Sequence, residues 1–285
     1  MFSRIVLLCA IASSSLLVAG CGGSGTSADD GTIVAAFYPL AFAASQVAGP
    51  GADVVDLTRA GEEPHDIELS PRDVARIHDA KLLVYEGRGF QPAVEDAARD
   101  RGGPSLDVLD HVRLHGGGDD VDPHVWLDPG RYAQVTRAIA VALGRPATAA
   151  PFVRRLEALD REYARGLHSC DRRTIVTSHA AFGYLAARYG LEQVALVGLA
   201  PEAEPSPATV AHLVDTVRAT RATTVFTEPL VAPALADTVA NEAGAVTATL
   251  DPLEALTPAE ESTGADYFSV MRDNLAALRK ALGCR

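Results

Sequence analysis

The sequence predicts an α/β protein of two lobes, each a parallel or mixed sheet flanked by helices, the lobes joined by one long interdomain helix. Short apolar runs of strand length alternate with amphipathic helical stretches through the first half of the chain. The alternation then breaks over 147–167, a charged stretch whose Phe152, Leu156, Leu159 and Tyr163 fall at spacings of four, three and four. That stripe marks a helix about 30 Å long at ~1.5 Å per residue. After Cys170 the alternation resumes. The expected organisation is a first lobe over 32–145, a linker helix over 146–169 and a second lobe over 170–285.

Taken in order, 33–38 is an apolar run ended by Pro39 and reads as a buried strand, with a helix over 40–48 stopped by Gly49-Pro-Gly51. A second strand over 52–57 leads into a polar loop over 58–70. Ser70-Pro71 supplies a serine cap and a first-turn proline for a helix running to Asp79. A strand over 81–85, a helix near 91–99 and a strand over 106–109 complete the first set, and a helix follows over 130–143. In the second set, strands are expected over 174–177, 193–197, 223–226 and 245–250. Helices are expected over 180–189, 207–220, 233–242 and 267–282.

The first 20 residues stand outside this pattern. Arg4, an apolar run and a small-residue ending make a secretory signal, too short and wrongly flanked to span a bilayer. The ending Leu17-Val-Ala-Gly-Cys21 resembles a bacterial lipobox, in which the cysteine becomes the lipidated N-terminus; ordinary cleavage beside an incidental cysteine is the alternative. The Gly/Ser-rich stretch over 21–31 reads as a flexible tether, and two or more acyl chains on Cys21 would suffice for stable membrane attachment. Loss of Arg4 with the leader takes the formal charge of the 285-residue chain from −12 to −13, which argues against nucleic acid and suits a cation binder. Of four cysteines, Cys9 leaves with the leader and Cys21 is spoken for. The remaining Cys170 and Cys284 suggest one disulfide in an exported domain, two unpaired buried thiols being the alternative.

Four loops that follow apolar runs, or open helices, each carry a metal-ligand type: Pro64-His65, Pro123-His124, Ser178-His179 and Asp251-Pro252. Ligands gather at the carboxyl ends of parallel strands, so two facing lobes would bring these loops into one cleft. Three imidazoles and a carboxylate suit four-coordinate Zn²⁺. Each also has a plainer reading: His65 and His124 as loop residues, His179 as a capping or core histidine, Asp251 as a turn former. His78, His111, His115, His168 and His212 read as solvated. Glu228 and Asp128 are candidates for supporting a ligand imidazole rather than binding metal.

Gly61-Glu-Glu-Pro-His-Asp-Ile-Glu-Leu-Ser-Pro71 and Asp122-Pro-His-Val-Trp-Leu-Asp-Pro129 resemble the first two metal motifs of the zinc/manganese ABC-transporter substrate-binding proteins. Ser178-His-Ala-Ala-Phe-Gly-Tyr-Leu185 and Leu250-Asp-Pro-Leu253 are similar to the third and fourth, and 198–207 resembles a further segment of the second lobe. The resemblance covers essentially the whole mature chain. It implies two α/β lobes on a rigid helix, a metal between them, and His65, His124, His179 and Asp251 as its ligands. Manganese members carry a glutamate at the third position, so His179 favours zinc over manganese or iron. The long histidine-rich loop of many zinc members is reduced here to 111–122, where His115, Asp119 and Asp120 read as a solvated loop more readily than as weak metal recruiters.

The expected function is therefore capture of Zn²⁺ outside the membrane by a lipid-anchored, monomeric protein that delivers it to an ABC permease. The competing reading is a metalloenzyme in which His65, His124 and His179 hold zinc, a water replaces Asp251, and Glu63, Glu68 or Glu228 acts as base.

Overall fold

The computed structural model describes residues 31–115, 121–200 and 206–285. The leader, Cys21 with the tether as far as Asp30, and Asp119 and Asp120 lie outside them. Strands β1 (Ile33–Ala35), β2 (Val54–Asp56), β3 (Leu82–Tyr85) and β4 (Ser105–Asp107) form one sheet in the order β2-β1-β3-β4. Strands β5 (Thr174–Thr177), β6 (Glu192–Ala195), β7 (Thr224–Thr227) and β8 (Val246–Thr249) form a second in the order β6-β5-β7-β8. Every pairing is parallel, so neither sheet is mixed. The two orders are the same order, and each reverses direction between its first and third strands, where a crevice opens at the carboxyl ends.

The register makes the repeat exact at that crevice. Ala35 pairs with Val84 in the first sheet, and Thr177 with Phe226 in the second. Two residues beyond these pairs stand Phe37 and Glu86 in the first half, His179 and Glu228 in the second. His179 and Glu228 are hydrogen-bonded. Phe37 packs edge-on against Phe90 and Trp126, and Glu86 is left fully buried, with neither carboxyl oxygen hydrogen-bonded among the described residues.

Helix boundaries follow the capping chemistry. Before α2 (Pro71–Asp79), Ser70 and Asp73 make a reciprocal capping box, and Asp266 with Ser269 does the same for α10 (Tyr267–Leu282). Asp128 accepts from Gly130 N and Arg131 N at the start of α4 (Pro129–Ala142). The remaining helices include α1 (Tyr38–Ala48), α3 (Pro92–Asp100), α5 (Ala149–Gly166), α6 (Gly183–Tyr189), α7 (Pro207–Thr220) and α8 (Ala234–Ala243). One helix escapes the periodicity reading, α9 (Pro258–Thr263), although Thr257-Pro-Ala-Glu260 is a capping-box sequence with proline at the first position.

Helix α5 buries Phe152, Leu156, Leu159 and Tyr163, and the Tyr163 hydroxyl donates to Met271 O at 2.5 Å. One apolar core runs without a break from the first sheet through α4, α5 and α10 to the inner face of the second. Alternation along β5 and β7 divides the second sheet: Ile175 and Phe226 face that core, while Val176 and Val225 face a smaller one beneath α7 and α8. Cys170 and Cys284 are joined by a disulfide that closes a separation of 114 residues.

Replacing Cys170 and Cys284 together by serine should cost about 2–4 kcal/mol in denaturant unfolding, because the unfolded chain regains the freedom of a long loop; an unchanged midpoint would deny the bridge any stabilising part. A second expectation concerns Glu86, whose carboxyl is held well above its usual range by burial and then by Asp107 and Asp122. A group raised in this way contributes fully below its ordinary value of 4.5 and loses that contribution as pH climbs through its folded value. Glu86→Gln, neutral at every pH, should therefore gain stability relative to the native protein as thermal melts move from pH 5 to pH 8, roughly the span above the free carboxylate range.

Candidate metal centre

His65 sits in a single turn of 3₁₀ helix, Pro64–Asp66, in the loop after β2. Glu63 Oε1 accepts from His65 N at 3.3 Å, and buried Gln91 donates to Pro64 O at 3.0 Å. The imidazole stands edge-on to Phe90 at 4.7 Å between centroids.

His124 and His179 are each gripped by one carboxylate at two points. Asp122 Oδ1 lies 3.0 Å from His124 N and 2.9 Å from His124 Nδ1. Glu228 accepts from His179 N at 3.1 Å and meets its Nδ1 at 2.6 Å. The two-point grip fixes backbone and ring together, assigns the proton to Nδ1, and turns Nε2 towards the centre. Both imidazoles are fully buried, whereas the His65 side chain keeps 9% of its exposure and is the accessible edge of the group.

The fourth member is Glu254, not Asp251. Its Oε1 lies 3.3 Å from His65 Nε2, 2.9 Å from His124 Nε2 and 3.2 Å from His179 Nε2. His124 Nε2 and His179 Nε2 are themselves 3.3 Å apart. A tetrahedral zinc with bonds of ~2.0–2.1 Å has donor–donor edges of about 3.3 Å. Four of the six separations among these donor atoms are thus already close to such an edge, and the set His65, His124, His179 and Glu254 lies within a 4.8 Å span.

Asp251 instead builds the turn that presents Glu254. Its Oδ1 accepts from Leu253 N at 2.6 Å, and Leu253 takes the left-handed conformation at φ 58°. For a leucine that geometry costs about 1–2 kcal/mol, so the turn must be held from outside. Asn274 bonds both Asp251 N and Asp251 O, the indole of Trp126 donates to Pro252 O at 2.7 Å, and Gly61 N donates to Leu256 O at 2.8 Å. Gly61 is at φ 84°, and a Cβ there would come within 3.1 Å of Pro258. Glycine therefore permits the His65 loop to dock on the Glu254 loop.

Of the two carboxylates expected to support a ligand, Glu228 touches His179 while Asp128 does not touch His124. Asp128 caps α4 and pairs with Arg131 and with Arg188 at 3.2 Å. Asp122, in the same motif, is the residue that holds His124. Its position two residues before the histidine suits an Asx-type bond to His124 N, and this was the available sequence signal.

The ionisation of the group follows from its burial. Desolvation works against charge at His179, but Glu228 and Glu254 outweigh it and push that imidazole up to about 10. The same contest raises His124, through Asp122 and Glu254. Burial would raise Glu254, yet hydrogen bonds from His124, His179 and His65 hold its carboxylate well below the usual range. Asp251, desolvated and facing Glu260 and Glu254, is raised to about 8. Without metal, the charged forms of the His179 and His124 imidazoles and of the Glu254 carboxylate thus favour one another across the centre.

Comparison with known proteins agrees with this geometry. The family model described as zinc-uptake complex component A, periplasmic (ZnuA) matches residues 33–281. The chain is 36% identical to the zinc-binding lipoprotein AdcA of Streptococcus pneumoniae serotype 4 over 97% of its own length, and spans 60% of the length of that protein. It is 32% identical to the high-affinity zinc uptake system protein ZnuA of Bacillus subtilis, covering 99% of both chains. Among solved structures, the Zn(II)-bound ZnuA-like domain of S. pneumoniae AdcA superposes with a TM-score of 0.78 at 38% identity, covering 89% of this chain and 99% of that one. The laminin binding protein Lmb of Streptococcus agalactiae, described as an adhesin with metal transporting activity, gives 0.81 at 31% identity, covering 88% and 99%. Matched over nearly its whole described length, the chain belongs to the zinc-uptake complex component A family.

Proposed function

We propose that the protein is the extracytoplasmic receptor of a zinc import system, taking Zn²⁺ as cargo at His65, His124, His179 and Glu254 and passing it to an ABC permease. The observation that carries this reading is the near-tetrahedral spacing of one carboxylate oxygen and two imidazole nitrogens at 2.9–3.3 Å, with the third imidazole 3.3 Å from the same oxygen. A set of three nitrogens and one oxygen suits zinc better than manganese, which favours more oxygen donors. Four protein donors fill a tetrahedron and leave no position for an activated water, which favours a carrier over a hydrolase. The relatives support the same cargo, since they are named for zinc binding and zinc uptake. In this reading Cys21 carries the lipid anchor, the tether over 21–31 spaces the receptor from the membrane, and the receptor acts as a monomer.

Cargo and protons compete for the same nitrogens. Zinc entering from the His65 edge displaces the protons by which His179 Nε2 and His124 Nε2 face Glu254, while the Nδ1 protons of the two histidines stay bonded to Glu228 and Asp122. Return of protons favours release.

Isothermal titration of metal-free protein should give one tight zinc per chain, and Glu254→Gln should weaken it by more than the roughly 10- to 100-fold usual for an outer-shell partner. His65→Ala combined with His124→Ala should abolish tight binding. Retention of wild-type affinity by that double variant would sink the assignment. Trp126 is the chain's only tryptophan and touches both His124 and the Glu254 loop, so its fluorescence gives an independent reading of occupancy. A further expectation is that binding expels protons. Because His179 is raised to about 10 and His124 is raised as well, titrations at pH 7 in buffers of different ionisation enthalpy should report net proton release, and affinity should climb with pH. A buffer-independent enthalpy would contradict the protonated resting centre.

A further inference from the structure

We propose that Gly183 and Tyr184, at the start of α6, are positioning residues that set how long zinc stays bound, by fixing the carboxylate that orients His124; this rests on the zinc reading above. The Tyr184 hydroxyl donates to Asp122 O at 2.8 Å and accepts from His115 N at 2.9 Å. It thereby ties the residue that grips His124 to a helix of the second half of the chain. Its ring is fully buried between the His115 imidazole, stacked at 4.2 Å, and the Arg131 guanidinium, 4.6 Å from the ring centroid. Arg131 Nε in turn donates to Arg113 O at 3.1 Å. Tyr184 is consequently a held group as well as a holding one.

Gly183 acts on the same carboxylate by its shape. A Cβ at this residue would stand 2.7 Å from Asp122 Oδ2. Its backbone is helical, at φ −57°, so a larger residue suffers no backbone strain there. What glycine provides is room for the Asp122 carboxylate to lie against α6 while its other oxygen holds His124 N and Nδ1. The segment that begins with His179 runs directly into α6. Asp122 is therefore the link through which the element carrying one ligand imidazole steadies the other, across the two halves of the chain.

The geometry separates the two variants from general destabilisation. Tyr184→Phe keeps the ring and removes only the bond to Asp122 and His115. Gly183→Ala keeps the backbone and displaces only the Asp122 carboxylate. Both act on zinc through Asp122, so their effects should disappear when that carboxylate is gone.

The experiment measures zinc dissociation from the full mature chain by stopped-flow competition with a fluorescent chelator, alongside the visible absorption of the Co²⁺-loaded protein. Tyr184→Phe should release zinc about 3- to 10-fold faster, the worth of the one hydrogen bond, of the two it removes, that reaches Asp122. Gly183→Ala should also release it faster, and both should alter the Co²⁺ bands, which follow the ligand field and not global stability. In an Asp122→Ala background, itself roughly 10- to 100-fold weaker in zinc affinity, neither substitution should add a further change. Wild-type release rates and bands in Tyr184→Phe, or effects that persist undiminished without the Asp122 carboxylate, would overturn the proposal while leaving the zinc reading intact. Failure of the wild-type chain to bind zinc would overturn both.

Discussion

Bringing three imidazoles within hydrogen-bond distance of one carboxylate, out of water, is the constraint on which the rest of this structure depends. Left alone, such groups would separate or draw in solvent, because desolvated polar atoms without partners are costly. The protein meets the constraint by giving each buried imidazole its own carboxylate, bound to backbone and ring at once. Asp122 and Glu228 therefore settle the tautomer, the orientation and the local chain path in a single interaction.

The same economy governs the loop that carries Glu254. A left-handed leucine would be a weak point in a free loop. Here it is fixed by Asp251 from within, and by Asn274, Trp126 and Gly61 from three other elements. Trp126 belongs to the segment that carries His124, and Gly61 to the loop that carries His65. The ligand loops thus brace one another before any cation arrives. This preorganisation limits the reordering that binding must impose, which is where affinity is usually lost.

Much of this was legible in the sequence because it is written in local chemistry. Ser70-Pro71 and Ser206-Pro207 begin helices where their hydroxyls cap, and the stripe Phe152, Leu156, Leu159, Tyr163 faces the core as its spacing requires. The three histidines of the buried cluster could be named for the same reason: each follows a proline or a strand end in a recognisable motif. The carboxylate that meets them could not be read from type and position. Asp251 is a good ligand in isolation and a better turn former before a proline, and only the fold reveals that the turn reverses the chain at Leu253 and delivers Glu254 instead. Asp122 and Asp128 flank His124 almost symmetrically in sequence. Which one meets the imidazole depends on α4 claiming the other as its cap. Glu86 carried no local signal at all, because its isolation arises from the aromatic residue across the crevice.

That aromatic residue has a wider consequence. The two halves repeat one strand order and one register, yet the equivalent positions hold Phe37 and Glu86 on one side and His179 and Glu228 on the other. A duplicated scaffold has been used unequally. On one side the strand-end pair His179 and Glu228 belongs to the buried cluster; on the other the strand ends have become packing, and His65 and His124 reach the cluster from excursions of the chain beyond β2 and β4. Two copies of one framework thus hold a single cluster in two ways, from the sheet itself on one side and from the connections beyond it on the other.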